Sequence, residues 1–131
     1  METENSWALN NDKNKNNTMV AVYTTVEHVK ASCKFIDLEN ISDEIIVNFI
    51  EDSQGQINSL IKTSYLNNFD INKHAILREL CTYSVIVKTI ACSPATFYSS
   101  DDRSHTLEIC YNIIKINSKL LSDPQRVKLL E

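Results

Sequence analysis

One glycine in 131 residues is the feature that most limits what this chain can become. Tight hairpins draw on glycine for their positive-φ positions, so a sandwich or barrel of many short strands is excluded. Gly55, with Pro94 and Pro124 as the only prolines, leaves helices as the element that can fill this length. The same count excludes a G-x-x-x-x-G-K phosphate loop and a G-x-G-x-x-G dinucleotide turn. At 43% hydrophobic and 23% charged residues, the chain carries enough apolar material for one modest core.

Hydrophobic periodicity then predicts an all-α bundle of about four helices, over 25–34, 43–65, 73–92 and 101–121. The first starts near Thr24 or Thr25, where Thr24 and Glu27 have capping-box spacing, and it aligns Val26, Val29 and Cys33. Ser42 is placed to cap the second, with Asp43 and Glu44 in a first turn that favours anions. Ile45, Ile46, Phe49, Ile50, Ile57, Leu60 and Ile61 form its stripe, and Gly55 falls on its polar side. The third is apolar almost all round, interrupted by Arg78, Glu79, Thr82, Lys88 and Thr89, which marks a helix at the centre of a bundle or shared with a partner. Its β-branched run Val85-Ile86-Val87 also suits a strand. Ser93-Pro94 ends it, and Phe97 and Tyr98 lie in the connector. Ser100 starts the fourth, whose apolar side carries Leu107, Cys110, Ile113, Ile114, Asn117, Leu120 and Leu121.

Both ends read as arms rather than core. Residues 1–22 form an Asn-rich N-terminal arm, residues 23–121 the helical body, and residues 122–131 a C-terminal tail. Within residues 1–18, Trp7 and Leu9 are the large apolar residues of an otherwise water-favouring stretch. Val127, Leu129 and Leu130 follow the Ser122-Asp123-Pro124 break, as one more helical turn or as an extended strand. These five side chains are the candidate partner-binding residues, because buried anchors dominate interface energy.

No catalytic or metal site is expected, and no cofactor. His28, His74 and His105 are scattered, and Cys33, Cys81, Cys92 and Cys110 form no C-x-x-C pair. Cys81 and Cys92 share a helix but stand about 16 Å apart along it. Asp101, Ser104 and His105 are neighbours in sequence, yet capping explains the first two and a triad is defined by geometry. The carboxylate pairs Asp43-Glu44 and Asp101-Asp102 are helix starts, and Glu51-Asp52 is a solvated face. A formal net charge of -4 argues against general binding to phosphate backbones, and Lys30 with Lys34 is the best basic cluster available. The apolar stretch 80–92 falls short of the about 18 uninterrupted residues of a membrane span, and 19–22 is too short for a signal-peptide core. Reduced, mostly buried thiols are the corresponding expectation for the cysteines.

With the elements laid out, the chain resembles the head–tail connector proteins of tailed phages, also called head-completion or neck adaptor proteins. Tyr23-Thr24-Thr25-Val26-Glu27-His28-Val29-Lys30 is similar to the family's opening x-T-x-x-x-V-K helix. Asp43-Glu44-Ile45-Ile46, Ile50-Glu51-Asp52 and Ile57-Asn58-Ser59-Leu60-Ile61, followed by Tyr65, resemble its long second helix. Leu80-Cys81-Thr82-Tyr83 resembles the start of its apolar third helix. The likeness covers residues 23–121, and Ser53 and Gln56 stand where the family has alanines.

The resemblance implies a structural virion protein of the neck. It would be made in the host cytoplasm and would form a homo-oligomeric ring, of about twelve copies, below the portal protein. It would dock tail or neck proteins near the packaged DNA, with no sequence-specific nucleic-acid contact and no membrane partner. Terminal arms reaching onto neighbouring subunits belong to the same implication. The alternative from another class is a small helical regulator or inhibitor that binds a host or cellular protein.

Overall fold

The computed structural model describes residues 21–33, 41–92 and 100–131, and these form an all-α bundle with no strand among them. Its helices are α1 (Val26–Ser32), α2 (Asp43–Ile61), α3 (Ala75–Cys92), α4 (Ser100–Leu121) and α5 (Pro124–Lys128). Trp7, Leu9, Lys34, the Ser93-Pro94 stop, Phe97 and Tyr98 lie outside the described residues.

α3 is the centre of the bundle and packs against α1, α2 and α4. Leu77, Cys81, Val85, Ile86 and Ile90 on it are fully buried. The β-branched run at 85–87 is helical, because packing on three sides outweighs its intrinsic preference. Thr82 and Thr89, read from sequence as breaks in the apolar surface, are buried too. Each donates its hydroxyl to the carbonyl one turn back, Thr82 to Arg78 at 2.7 Å and Thr89 to Val85 at 2.8 Å. A threonine satisfied within its own helix can therefore pack as a small apolar residue.

The helix ends follow their caps. Thr25, rather than Thr24, caps α1 and accepts from the His28 N–H at 3.1 Å. Thr24 is itself buried, so the sequence expectation of a Thr24–Glu27 capping box is corrected by one residue. Ser42 caps α2 as expected, accepting from the Ile45 N–H at 3.3 Å. Gly55 is exposed on the outer side of α2, where a Cβ would meet nothing within 4 Å.

α2 stops at Ile61, four residues before the expected Tyr65. Lys62 takes the left-handed conformation, φ 63° and ψ 29°, and its N–H bonds the Asn58 carbonyl at 2.8 Å. That conformation costs a non-glycine residue about 1–2 kcal/mol, and glycine would return part of the gain through the unfolded chain. Lys62→Gly is therefore expected to stabilise the protein by about 0.5–1 kcal/mol, read as a higher denaturant midpoint. A lower midpoint would mean that the lysine side chain contributes more than its backbone strain costs.

The C-terminal tail is neither extended nor separate. Asp123 accepts from the Gln125 N–H at 2.9 Å and Pro124 opens the short α5, which packs on α4. Leu130 is buried, at 6% exposure, and Val127 is half-buried against the core. Of the two readings of residues 122–131, the extra helical turn is the one found and the extended strand is not.

Candidate functional site

Two polar clusters inside the bundle decide how the chain ends are held. Gln54 is fully buried, and its Oε1 accepts from the Val22 N–H at 2.6 Å and the Tyr23 N–H at 2.9 Å. Tyr23 is fully buried beside it, donates its hydroxyl to Asn58 Oδ1 at 2.5 Å and accepts from the Tyr65 N–H at 2.9 Å. Burial pushes its phenol up, against the opposing pull of the Tyr65 N–H. Thr82 and Thr24 then meet hydroxyl to hydroxyl at 2.7 Å. Residues 22–24, which precede the first helix, are thereby bonded into α2, α3 and the loop after α2. Tyr23→Phe leaves the Tyr65 N–H without its acceptor and is expected to cost about 1–3 kcal/mol in urea unfolding. A loss too small to measure would show that water replaces the phenol.

The second cluster surrounds His74, which is 2% exposed. Its Nδ1 accepts from the Asp70 N–H at 3.0 Å, and its Nε2 stands 2.7 Å from the Leu130 carbonyl. Those partners require a neutral ring with the proton on Nε2, which donates to Leu130. Tyr65 and Phe69 flank the ring, with centroids 4.5 and 5.7 Å away. Lys73 donates to the Glu131 carbonyl alongside. The cluster clamps the C-terminal residues through the Leu130 and Glu131 carbonyls.

Between α2 and α3, Lys88 donates to Ser53 Oγ at 2.9 Å and Gln56 Oε1 at 2.8 Å. Burial holds its ammonium below the usual lysine range, with Asp52 and Cys81 pulling the other way. Ser53 and Gln56 are the positions that depart from the alanines of the resembled family, and here they serve as the lysine's acceptors. Between α3 and α4, the buried Asn117 donates to Glu79 Oε1 at 2.8 Å.

The candidate chemical residues do not converge. Asp101, Ser104 and His105 are all exposed in the first turns of α4. Burial pushes the Cys81 thiol up to about 12, and burial with the neighbouring Cys33 does the same to Cys110, so neither is held as a thiolate. None of the cysteines is in a disulfide. Among the described residues, no three His, Cys, Asp or Glu side chains could share a metal ion, and no helix is long and apolar enough to cross a membrane.

Of the candidate partner-binding residues, Leu130 turns into the protein's own core, Val127 lines a cavity of about 270 Å³ with Lys62 and Leu121, and Leu129 stays 72% exposed. Sequence reasoning missed a row on α4. Ile109 and Ile116 are 43% and 60% exposed, with the half-buried Ile113 and Leu120 in the same line. Their spacing of 4, 3 and 4 residues was the available signal, hidden because Ile113 and Leu120 were assigned to the core stripe. Comparison with family models, with curated proteins and with solved structures found no match to this chain.

Proposed function

We propose that this protein is a structural component of a phage neck, a head–tail connector that acts through its surfaces and not by catalysis. In this reading copies assemble as a ring below the portal protein, in the virion, and present a docking face to tail or neck proteins. Packaged DNA passes nearby without being held by base contacts.

The observation that carries the reading is Leu129, the most exposed large apolar side chain described, next to the deeply held Leu130. Anchoring one residue in the core while presenting its neighbour to the outside is a way to offer a rigid apolar contact. Closed rings also need two unlike patches on each subunit. Tyr111, 55% exposed on α4, supplies further apolar surface. The acidic balance agrees with a wall that lines a DNA passage without gripping it.

Native mass measurement of the purified chain, alone and with the portal protein, tests the proposal. A heavy, symmetric assembly is expected. Leu129→Ser should reduce the assembled fraction while leaving thermal stability unchanged, because the side chain touches little in its own subunit. A chain that stays monomeric in every condition and ignores the portal would overturn the connector reading in favour of a helical regulator.

A further inference from the structure

α4 carries a second apolar line beside the one that faces its own bundle. On the inward line Cys110, Asn117 and Leu121 are buried, and Leu107 and Ile114 pack against the core between them. Ile109, Ile113, Ile116 and Leu120 lie about a third of a turn further round the helix. Ile116 is 60% exposed there. The alternation of four-residue and three-residue steps holds the four side chains on one stripe, which is the seam by which one helix packs on another. From Ile109 to Leu120 the stripe runs about 17 Å along the axis.

We propose that this stripe is the contact for a second copy of the chain, with the two α4 helices packed antiparallel about a two-fold axis between Ile113 and Ile116. The inference goes beyond the connector reading and does not rest on it, because a two-fold contact closes on itself and builds no ring.

The stripe is complementary to its own reverse. Across a two-fold axis at its middle, Ile113 meets Ile116 of the second copy and Ile109 meets its Leu120, so apolar faces apolar at every step. Shape agrees at the ends. Beside Ile109 an apolar cavity of about 170 Å³ lies between the end of α1, α3 and α4, lined mainly by Cys33, Tyr83, Ile86 and Cys110. The Leu120 side chain of the second copy arrives at its mouth, and symmetry repeats that knob and hole at the other end.

Charge selects the orientation. Glu108 and Lys119 are both exposed, on the solvent flank of the stripe. Antiparallel pairing brings Glu108 of one copy to within about 3 Å of Lys119 of the other along the axis, twice by symmetry. Parallel pairing would set Glu108 against Glu108 and Lys119 against Lys119. The rest of the helix follows the same sense. Asp101, Asp102 and Glu108 outnumber Arg103 in its first half, and Lys115 and Lys119 stand in its second. The two helix dipoles also oppose each other. A stripe of four side chains falls below the roughly 1,200 Å² of a standard interface, so the pair exchanges with monomer at micromolar concentrations.

Sedimentation equilibrium of the full chain over a concentration series tests the proposal. A monomer–dimer equilibrium is expected. Ile116→Glu should weaken it at least about tenfold and leave the melting temperature of the monomer unchanged, because that side chain stands mostly outside its own bundle. Glu108→Lys and Lys119→Glu should each weaken it several-fold, and the double variant should restore it, since the charge pair is then only reversed. Where larger assemblies form, Leu129→Ser should remove the ring and keep the pair, and Ile116→Glu should do the opposite. A chain that is monomeric at every concentration overturns the proposal, as does a dimer that Ile116→Glu leaves intact. A monomer whose melting temperature falls with Ile116→Glu assigns the stripe to another part of the same chain and overturns it too. Charge reversals that fail to recover in the double variant overturn the antiparallel arrangement.

Discussion

Ile86→Asp is expected to abolish the cooperative thermal transition of this protein. Ile86 is fully buried on the central helix, between α1 and α4. An aspartate there loses the transfer and packing energy of an isoleucine, about 2–5 kcal/mol on truncation alone. It also places a carboxylate in apolar surroundings, which costs several kcal/mol more or forces protonation. The sum approaches the entire stability of a small domain, about 5–15 kcal/mol. Far-ultraviolet circular dichroism during heating reads the outcome. A variant with the native melting temperature would show that position 86 faces out of the bundle, and the packing described above would be wrong.

The second large effect is expected from Gln54→Leu, a substitution that fills the same space with a more apolar side chain. Hydrophobicity alone favours leucine at a fully buried site. The two amides that Gln54 accepts, from Val22 and Tyr23, outweigh that preference. Each loses its acceptor inside the protein, at about 1–3 kcal/mol apiece, so a net loss of about 2–4 kcal/mol is expected after the leucine's gain. Urea unfolding gives the magnitude. Amide exchange locates it, since Val22 and Tyr23 should lose protection first while α3 keeps its own. Equal or greater stability in the leucine variant would show that these amides find other acceptors.

The contrast between these two positions explains how much was legible in the sequence. Ile86 belongs to a pattern: a helix apolar around most of its circumference must be central, and α3 is. Ser42, Asp43 and Glu44 announce the start of α2 by chemistry that needs no tertiary partner. Gln54 announces nothing. It follows Ser53 on what a helical wheel draws as a polar side; Gln54 is buried where residues 22 and 23 bond it, and Ser53 where Lys88 of α3 does. Burial of that kind is set by a segment more than thirty residues away. Lys62 is similar, since the turn that stops α2 uses a left-handed lysine where glycine or asparagine would have given warning. His74 looked like one of three scattered histidines. Its role depends on the Leu130 carbonyl, and local pattern carries no trace of a contact across 56 residues. The exposed row of Ile109 and Ile116 on α4 went unread for a different reason. A surface row shows in periodicity only when the core row beside it has been correctly separated.

The polar knot at residues 22–24 also reverses the usual order in which a helical protein comes apart. Ends normally fray inward, with the first turn of the first helix opening before anything deeper. Here the strand of chain ahead of α1 is bonded at Gln54, Tyr65 and Thr82, while α1 itself is seven residues long with Val29 as its buried member. Amides upstream of the helix should therefore outlast those within it during hydrogen exchange. A pull applied to the arm would meet the same inversion. The load would pass through Tyr23 and Gln54 directly into α2, and α1 would bear none of it until the knot gave way.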